Sequence, residues 1–394
     1  MARQDEFLAF AHIGDLHLTT AEADNARDLQ TLLQRLRGRS ELDFVYLPGD
    51  NADKGTAEQY LLLRRLLDDF PLPVTVITGD HDMEGGDLGP FYAELQVPQL
   101  PYSREVGGVR CLFLDMCGPG TGGPDFRLGR EQLQWLEQEL HEATRLAQRC
   151  VVFMHSYPAD LQGPGEAERV ARLLHEGPVR LVEIGHTHYN ELAHDGGVLY
   201  AACRSTGQIE EGGVGFALVT LDGPAVSWRF RELPDGWPWV QITAPGDARL
   251  NGAGVAEVRE CRVLVLAASE LRVCEWQCDD GPWWPLQPLG KGRYRGDRPV
   301  PEGVRRLQVR VRDAQGGEDR DEVELSGHLR PVAAPADWGS DHTRLGEWRA
   351  RGVLGTQLGP IAMAANGEVG QAGLANRLEG TALSWGPSSP LPTS

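Results

Sequence analysis

Over its first 235 residues the chain alternates short apolar, β-branched runs with amphipathic stretches. Five of the apolar runs stop at a carboxylate or an imidazole. Residues 7–13 (FLAFAHI) read as a buried strand ending at Gly14-Asp15-Leu16-His17. Residues 43–47 (DFVYL) run into Pro48-Gly49-Asp50-Asn51-Ala52-Asp53, and 74–78 (VTVIT) into Gly79-Asp80-His81-Asp82. Residues 151–154 (VVFM) end at His155, and 179–184 (VRLVEI) at Gly185-His186-Thr187-His188. Between them a 3.6-residue period predicts helices over about 25–37, 56–69, 129–147 and 166–175; Leu29, Leu32, Leu33 and Leu36 share one face of the first. A further strand is expected at 109–115, with closing strands near 197–203, 214–221 and 225–231. The opening βαβαβ order predicts an α/β domain with a mostly parallel sheet.

The pattern changes at Pro234-Asp235-Gly236-Trp237-Pro238, which reads as a boundary. A first domain is therefore expected over 1–236. Residues 239–330 show only short strands between turns, at 239–244, 261–267, 271–277, 304–312 and 321–325. That spacing suits a small antiparallel, immunoglobulin-like β-sandwich, expected to be an autonomous accessory domain. Trp276, Trp283 and Trp284 fit its core or edge better than a binding face. Residues 331–394 are rich in Gly, Ala and Pro, and read as a tail that is either loosely structured or laid over the body, with room for a short helix near 343–350.

Composition narrows the function. A formal net charge of −19 argues against a broad nucleic-acid-binding surface or attachment to anionic lipid. Seven scattered Cys without a CxxC pair suit a reducing compartment rather than a disulfide framework. The acid-containing start is unlike a signal peptide, and no apolar run reaches the length of a membrane span. The expectation is a soluble, cytoplasmic protein; the sequence leaves its oligomeric state open.

The polar residues at the strand ends carry the chemistry. In open α/β sheets ligands bind beyond the carboxyl ends of the strands, so Asp15, His17, Asp50, Asp80, His81, Asp82, His155, His186 and His188 converge on one edge. Mixed imidazoles and carboxylates suit divalent Mn, Fe or Zn. In Asp15-x-His17 and His186-x-His188 alternate residues project to the same side, so each pair can reach one ion. The other six His are read as ordinary core or surface residues.

The ordered series D-x-H, G-D-x-x-D, G-D-H-D, a lone His and G-H-x-H resembles the calcineurin-like metallophosphoesterase superfamily over roughly residues 7–232. Gln132-Leu133-Gln134-Trp135-Leu136 and the Gly-His-Thr-His form bring it nearest the branch similar to cyclic-nucleotide phosphodiesterases. The resemblance implies a four-layer α-β-β-α sandwich binding two divalent metal ions. One ion would be held by Asp15, His17 and His188, a second by Asp80, His155 and His186, and Asp50 would bridge them. It also implies that His81 stands beside the leaving group with Asp82 orienting it, and that Asp53 is structural. Position 80, usually Asn in the family, is Asp here, and the Arg frequent after the second motif is Lys54.

The resulting expectation is a phosphodiesterase that cleaves a small diester, with cyclic nucleotides among the candidates, by attack of a metal-bridging hydroxide. His81 would act as general acid, or alternatively position Asp80 or a phosphate oxygen. The alternatives are a phosphomonoesterase or nucleotide pyrophosphatase on the same site, or a metal-binding scaffold without turnover. A nuclease fits the charge poorly. Asn25, Arg127 and Arg204 are further polar residues that substrate could meet, although surface roles suit each better.

Overall fold

The computed structural model describes residues 6–117, 125–251, 259–325 and 335–358. β1 (Phe7–His12) pairs in parallel with β2 (Phe44–Leu47), and β2 with β3 (Val74–Val76). The hairpin of β10 (Gly215–Asp222) and β11 (Ala225–Glu232) joins the free edge of β1 in antiparallel sense, giving a five-stranded sheet ordered β11-β10-β1-β2-β3. A second sheet comprises β4 (Tyr102–Val106), β5 (Val109–Phe113), β6 (Cys150–Phe153), β7 (Val179–Ile184), β8 (Glu191–His194) and β9 (Leu199–Ala202). Its order is β4-β5-β6-β7-β9-β8, parallel from β5 to β9 and antiparallel at both edges.

The two sheets face each other across a layer of side chains from both. Phe10 stacks on Phe44 at 4.9 Å and Phe113 on Phe153 at 4.5 Å, with Leu8, Val151 and Leu181 fully buried among them. Each such side chain contributes about 1.5–3 kcal/mol of burial. Helices α1 (Asp24–Leu36), α2 (Ala57–Leu67) and α3 (Gly89–Leu95) cover the first sheet, and α4 (Gly129–Arg145) and α5 (Glu166–Glu176) the second. The apolar stripe Leu29, Leu32, Leu33 and Leu36 faces inward as its spacing requires. Thr56 starts α2 with a capping box to Gln59. The result is the expected four-layer α-β-β-α sandwich.

Three elements of this region have no counterpart in the hydrophobic pattern. α3 falls in a stretch with Gly85, Gly86, Gly89 and Pro90, for which the pattern predicts no element. β4 is half-exposed throughout and carries little apolar signal, and β8 is only four residues long.

The chain then enters a separate, all-antiparallel sheet. Its strands are β12 (Trp239–Ala244), β13 (Glu260–Leu266), β14 (Leu271–Cys278), β15 (Trp284–Gly290), β16 (Arg293–Pro299), β17 (Arg306–Asp313) and β18 (Glu318–Glu324). The order is β12-β13-β16-β15-β14-β17-β18. The sheet curls until its ends meet: Val240 N–H donates to Asp319 at 2.9 Å and Ile242 N–H to Asp321 at 2.7 Å. Trp276 lies at the centre of the core with Trp284 5.1 Å away, while Trp283 lies under Arg310. The β15–β16 hairpin escaped the sequence pattern because Pro285, Pro288, Gly290 and Gly292 read as turn.

The added domain does not stand apart. Trp239, Leu264 and Leu266 belong to the same buried cluster as Leu29 and Leu36 of α1, and Thr243 donates to Asp222 of β10 at 2.6 Å. Residues 335–358 are laid over the body as a strap. Leu345 N–H donates to Leu192 of edge strand β8 at 2.7 Å, and Trp338 stacks on His175. The helix expected near 343–350 does not form. Two short 3-10 turns, Asp341–Thr343 and Arg349–Arg351, flank Gly346, whose φ of 79° breaks helical geometry. The remainder of the expected tail, residues 331–334 and 359–394, lies outside the described residues.

Candidate metal centre

The parallel strands of both sheets deliver their carboxyl ends to one edge, and the chain turns sharply there. His17, Asp50, His186 and His188 have φ of 43°, 49°, 58° and 60°, a left-handed region costly for side chains of this size. Four of the candidate ligands therefore sit in conformations that the surrounding contacts impose. The N–H groups of Leu16 and His17 both donate to the Asp50 carbonyl, docking the first loop on the second. Close approach fixes two glycines: a Cβ at Gly79 would lie 2.2 Å from Asp50 Oδ1, and one at Gly185 2.3 Å from Asp15 Oδ1.

The structure brings the seven candidate ligands into two groups. Asp15, His17, Asp50 and His188 form one; Asp50, Asp80, His155 and His186 form the other, with Asp50 common to both. In the first, His17 Nε2 and His188 Nε2 are 3.0 Å apart, and His17 Nε2 is 3.7 Å from Asp50 Oδ2. In the second, Asp80 Oδ1 is 3.2 Å from His155 Nε2 and 3.1 Å from His186 Nδ1, while Asp50 Oδ1 is 3.5 Å from His155 Nε2.

These groups fit dications on the structure's own terms. Asp15 is fully buried and neither carboxylate oxygen has a hydrogen-bond partner, a costly state unless a cation sits against it. His155 Nδ1 donates to the Pro48 carbonyl at 2.7 Å, so Nε2 is the nitrogen turned to the two carboxylates and the one a dication would take in place of a proton. Lone pairs and anions facing one another at this spacing are a ligand set for first-row divalent ions.

The acid–base balance reflects the same crowding. Burial raises Asp15 to about 6 and lowers His17 to about 3. Burial and Asp80 push Asp50 up, but His155 and His17 outweigh them and hold it at about 2. For His155 burial is again opposed, here by Asp50 and Asp80, which favour the imidazolium. Dications between these groups would replace the proton sharing, keeping carboxylates ionised and imidazoles neutral.

His81 stands at the rim. Its ring lies edge-on to His17 at 4.5 Å, and its Nδ1 donates to the Asp53 carbonyl at 3.0 Å, leaving Nε2 as the nitrogen free to exchange a proton. Burial lowers its proton affinity, but Asp50, the Asp53 carbonyl, Asp80 and Glu84 together raise it above the ordinary histidine value. Asp53 also belongs to a third group with His17 and His81.

Three expectations change. Asp82 does not orient His81. Its carboxylate is fully buried and accepts from Gly79 N, Asn51 Nδ2, Ala52 N and Tyr60 OH, tying the second and third loops together. Arg204 is neither a surface nor a substrate residue. It is 2% exposed, paired with Glu232, and donates to the Gly352 carbonyl of the strap. Asn25 is buried and donates to the carbonyls of Leu16 and His17, supporting the first loop from α1. Arg127, by contrast, keeps the surface role expected of it, paired with its neighbour Asp125 at 2.7 Å.

Sequence reasoning missed the segment 205–210. Ser205 Oγ and the N–H groups of Thr206 and Gly207 donate to the Asp15 carbonyl, and Gln208 and Glu210 lie beside the outer nitrogens of His17 and His188. No motif marks this stretch; only its position after β9 could have pointed to it.

The calcineurin-like phosphoesterase family matches residues 8–190. The chain is 30% identical over 216 residues to a cAMP/cGMP dual specificity phosphodiesterase of Mycobacterium tuberculosis, spanning 50% of this chain and 66% of that one. It is 27% identical over 235 residues to a 3',5'-cyclic adenosine monophosphate phosphodiesterase of Escherichia coli K12, spanning 56% and 82%. Among solved structures it is similar to a dimetal phosphatase from Danio rerio, at 16% identity and a TM-score of 0.47, over 57% of this chain and 96% of that one. On the family match and the strand-end series that it covers, residues 8–190 form a region of the calcineurin-like phosphoesterase family.

Proposed function

We propose that this phosphoesterase hydrolyses a small phosphodiester at the paired ligand groups, with 3',5'-cyclic nucleotides the first substrates to try. The observation that carries the reading is the pair of four-residue groups sharing Asp50, with His81 at their rim. Two divalent ions held there, Mn or Fe first among the candidates, would activate water and take up charge on the phosphoryl oxygens.

The chain's own residues do the rest. Asp50 and Asp80 bring negative charge to the second group, where the family usually has a neutral amide at position 80. A singly charged diester is repelled less by such a site than a doubly charged monoester. Lys54, near the rim, is held by Glu84 at 2.8 Å rather than turned to a second phosphate charge. His81, tethered through Nδ1, can give a proton from Nε2 to a departing alkoxide. The names of the relatives support the same reaction class.

The test is turnover of bis(p-nitrophenyl) phosphate, p-nitrophenyl phosphate and 3',5'-cyclic AMP by the Mn²⁺-loaded full-length protein. The expected result is a higher kcat/KM for the diesters than for the monoester. A clear preference for the monoester would overturn the reading.

A further inference from the structure

The two ligand groups are supported differently from behind. In the second, His155 Nδ1 is fixed by a backbone carbonyl, that of Pro48. In the first, the outer nitrogens face side chains from one short stretch. The Gln208 amide is 3.2 Å from His17 Nδ1, and Glu210 Oε1 is 3.7 Å from His188 Nδ1. Glu210 is itself aimed: its Oε2 accepts from Tyr189 OH at 2.7 Å, and Tyr189 directly follows His188. The stretch is anchored on the first group, because Ser205 Oγ, Thr206 N–H and Gly207 N–H all converge on the Asp15 carbonyl. A Cβ at Gly207 would lie 2.1 Å from the Leu16 carbonyl oxygen, so the approach is as close as a backbone allows.

From this arrangement we infer that Glu210 is a positioning residue for the first ligand group, acting through His188 and not on the second group. A carboxylate behind an imidazole draws the ring proton to Nδ1 and leaves Nε2 as the metal-facing lone pair, raising its basicity. His188 has no other acidic side chain at its Nδ1 among the described contacts, whereas His155 needs none. Glu210 is half-exposed, so its charge can be removed with little effect on the core. The inference rests on the reading that the chain holds two ions.

The test is calorimetric titration of the metal-free, full-length protein with Mn²⁺ for wild type, Glu210→Gln and Glu210→Ala. Thermal unfolding of the metal-free proteins checks that each is folded. Wild type should take up two ions. Glu210→Gln keeps the bond from Tyr189 and loses only the charge; it should weaken one binding step by about tenfold and leave the other unchanged. In a His155→Ala background, which retains only the first group intact, the same substitution should weaken the surviving step. Three results would overturn the inference: a wild-type titration for Glu210→Gln with loss only in Glu210→Ala, which would mean a purely structural role through Tyr189; equal weakening of both steps; or no effect in the His155→Ala background. Uptake of fewer than two ions by wild type would instead fail the two-metal reading, and this inference with it.

Discussion

Asp50 Oδ1 accepts the backbone N–H of His81 at 2.9 Å. The carboxylate common to both ligand groups thus also fixes the start of the turn that carries the rim histidine. His81 is placed relative to the centre by its own backbone, and its ring by the Asp53 carbonyl, so side-chain removal need not disturb the ligands. His81→Ala should lower turnover about a hundredfold on diesters with alkoxide leaving groups, the scale of general acid catalysis. It should largely spare p-nitrophenyl esters, whose leaving group departs unprotonated. Equal losses on both substrate types would make His81 a positioning residue only. Metal content measured on the same samples should be unchanged.

The strap and the added domain are tied together by one buried ion pair. Arg351, 1% exposed, is 3.0 Å from Asp321 of β18, and donates to the Glu322 carbonyl at 3.0 Å. The adjacent Gly352 carbonyl accepts from Asn190, two residues after His188, and from Arg204. Arg351→Met leaves the Asp321 charge buried and should cost about 3–5 kcal/mol. Adding Asp321→Asn should restore part of that loss, because the unpaired charge is gone. Denaturant unfolding of the single and double variants provides the measurement. A loss under about 1 kcal/mol for Arg351→Met would show that the pair carries little.

The site was more legible than its supports. Asp15, His17, Asp50, Asp80, His155, His186 and His188 could be read because each closes an apolar strand, and parallel strands present their ends together. Asp82 misled because adjacency in sequence to His81 says nothing about direction: the 3-10 turn His81–Met83 sends it inward to Tyr60. Arg204 and Glu210 lack any periodic signal, and their partners lie far off in sequence, at Gly352 and at His188. In the fold, the strongly periodic α1 and α4 were read to within two residues at each end. β4, β15 and β16 were lost because their stability comes from neighbouring strands rather than from their own composition.

A second buried pair lies between the sheets, outside the ligand groups. His12 Nδ1 and Glu183 Oε2 are 2.5 Å apart and both side chains are fully buried. Burial lowers His12 to about 3 and raises Glu183 well above the carboxyl range, so it disfavours the charged form of each partner. For Glu183 the folded value exceeds the unfolded one. Its contribution is therefore complete below about pH 4.3 and is lost as pH rises towards the folded value, at about 1.4 kcal/mol per unit. His12 has the opposite sign: its contribution is complete above about pH 6.5 and is lost as pH falls towards 3. Above about pH 6.5 His12 contributes no further change. Glu183→Gln keeps a donor towards His12 and cannot ionise. Metal-free Glu183→Gln should thus gain on wild type as pH rises above about 4.3, read from denaturant midpoints. Parallel curves for the two proteins would mean that Glu183 is already ionised in the fold.

Asp80 sets the charge of the second ligand group. Its Oδ1 lies between His155 Nε2 at 3.2 Å and His186 Nδ1 at 3.1 Å, and its carboxyl is held well below the ordinary range despite burial, because His186 and His155 outweigh that burial. An Asn there would offer the same oxygen without the charge. Two unit charges 4 Å apart interact by about 1 kcal/mol in water and about 4 kcal/mol at the effective permittivity of a protein surface. A doubly charged phosphate therefore meets at least about 1 kcal/mol more repulsion from Asp80 than a singly charged one. Asp80→Asn should lower the ratio of kcat/KM for a diester over its matching monoester by about fivefold or more, measured at metal saturation. The same substitution should loosen one Mn²⁺ step, since a neutral ligand replaces an anionic one. The two outcomes separate charge from geometry. Weaker metal binding with an unchanged or raised ratio would mean that Asp80 serves as a ligand only. Substrate preference would then have to come from the groups around His81, and the charge argument for a diester would fail.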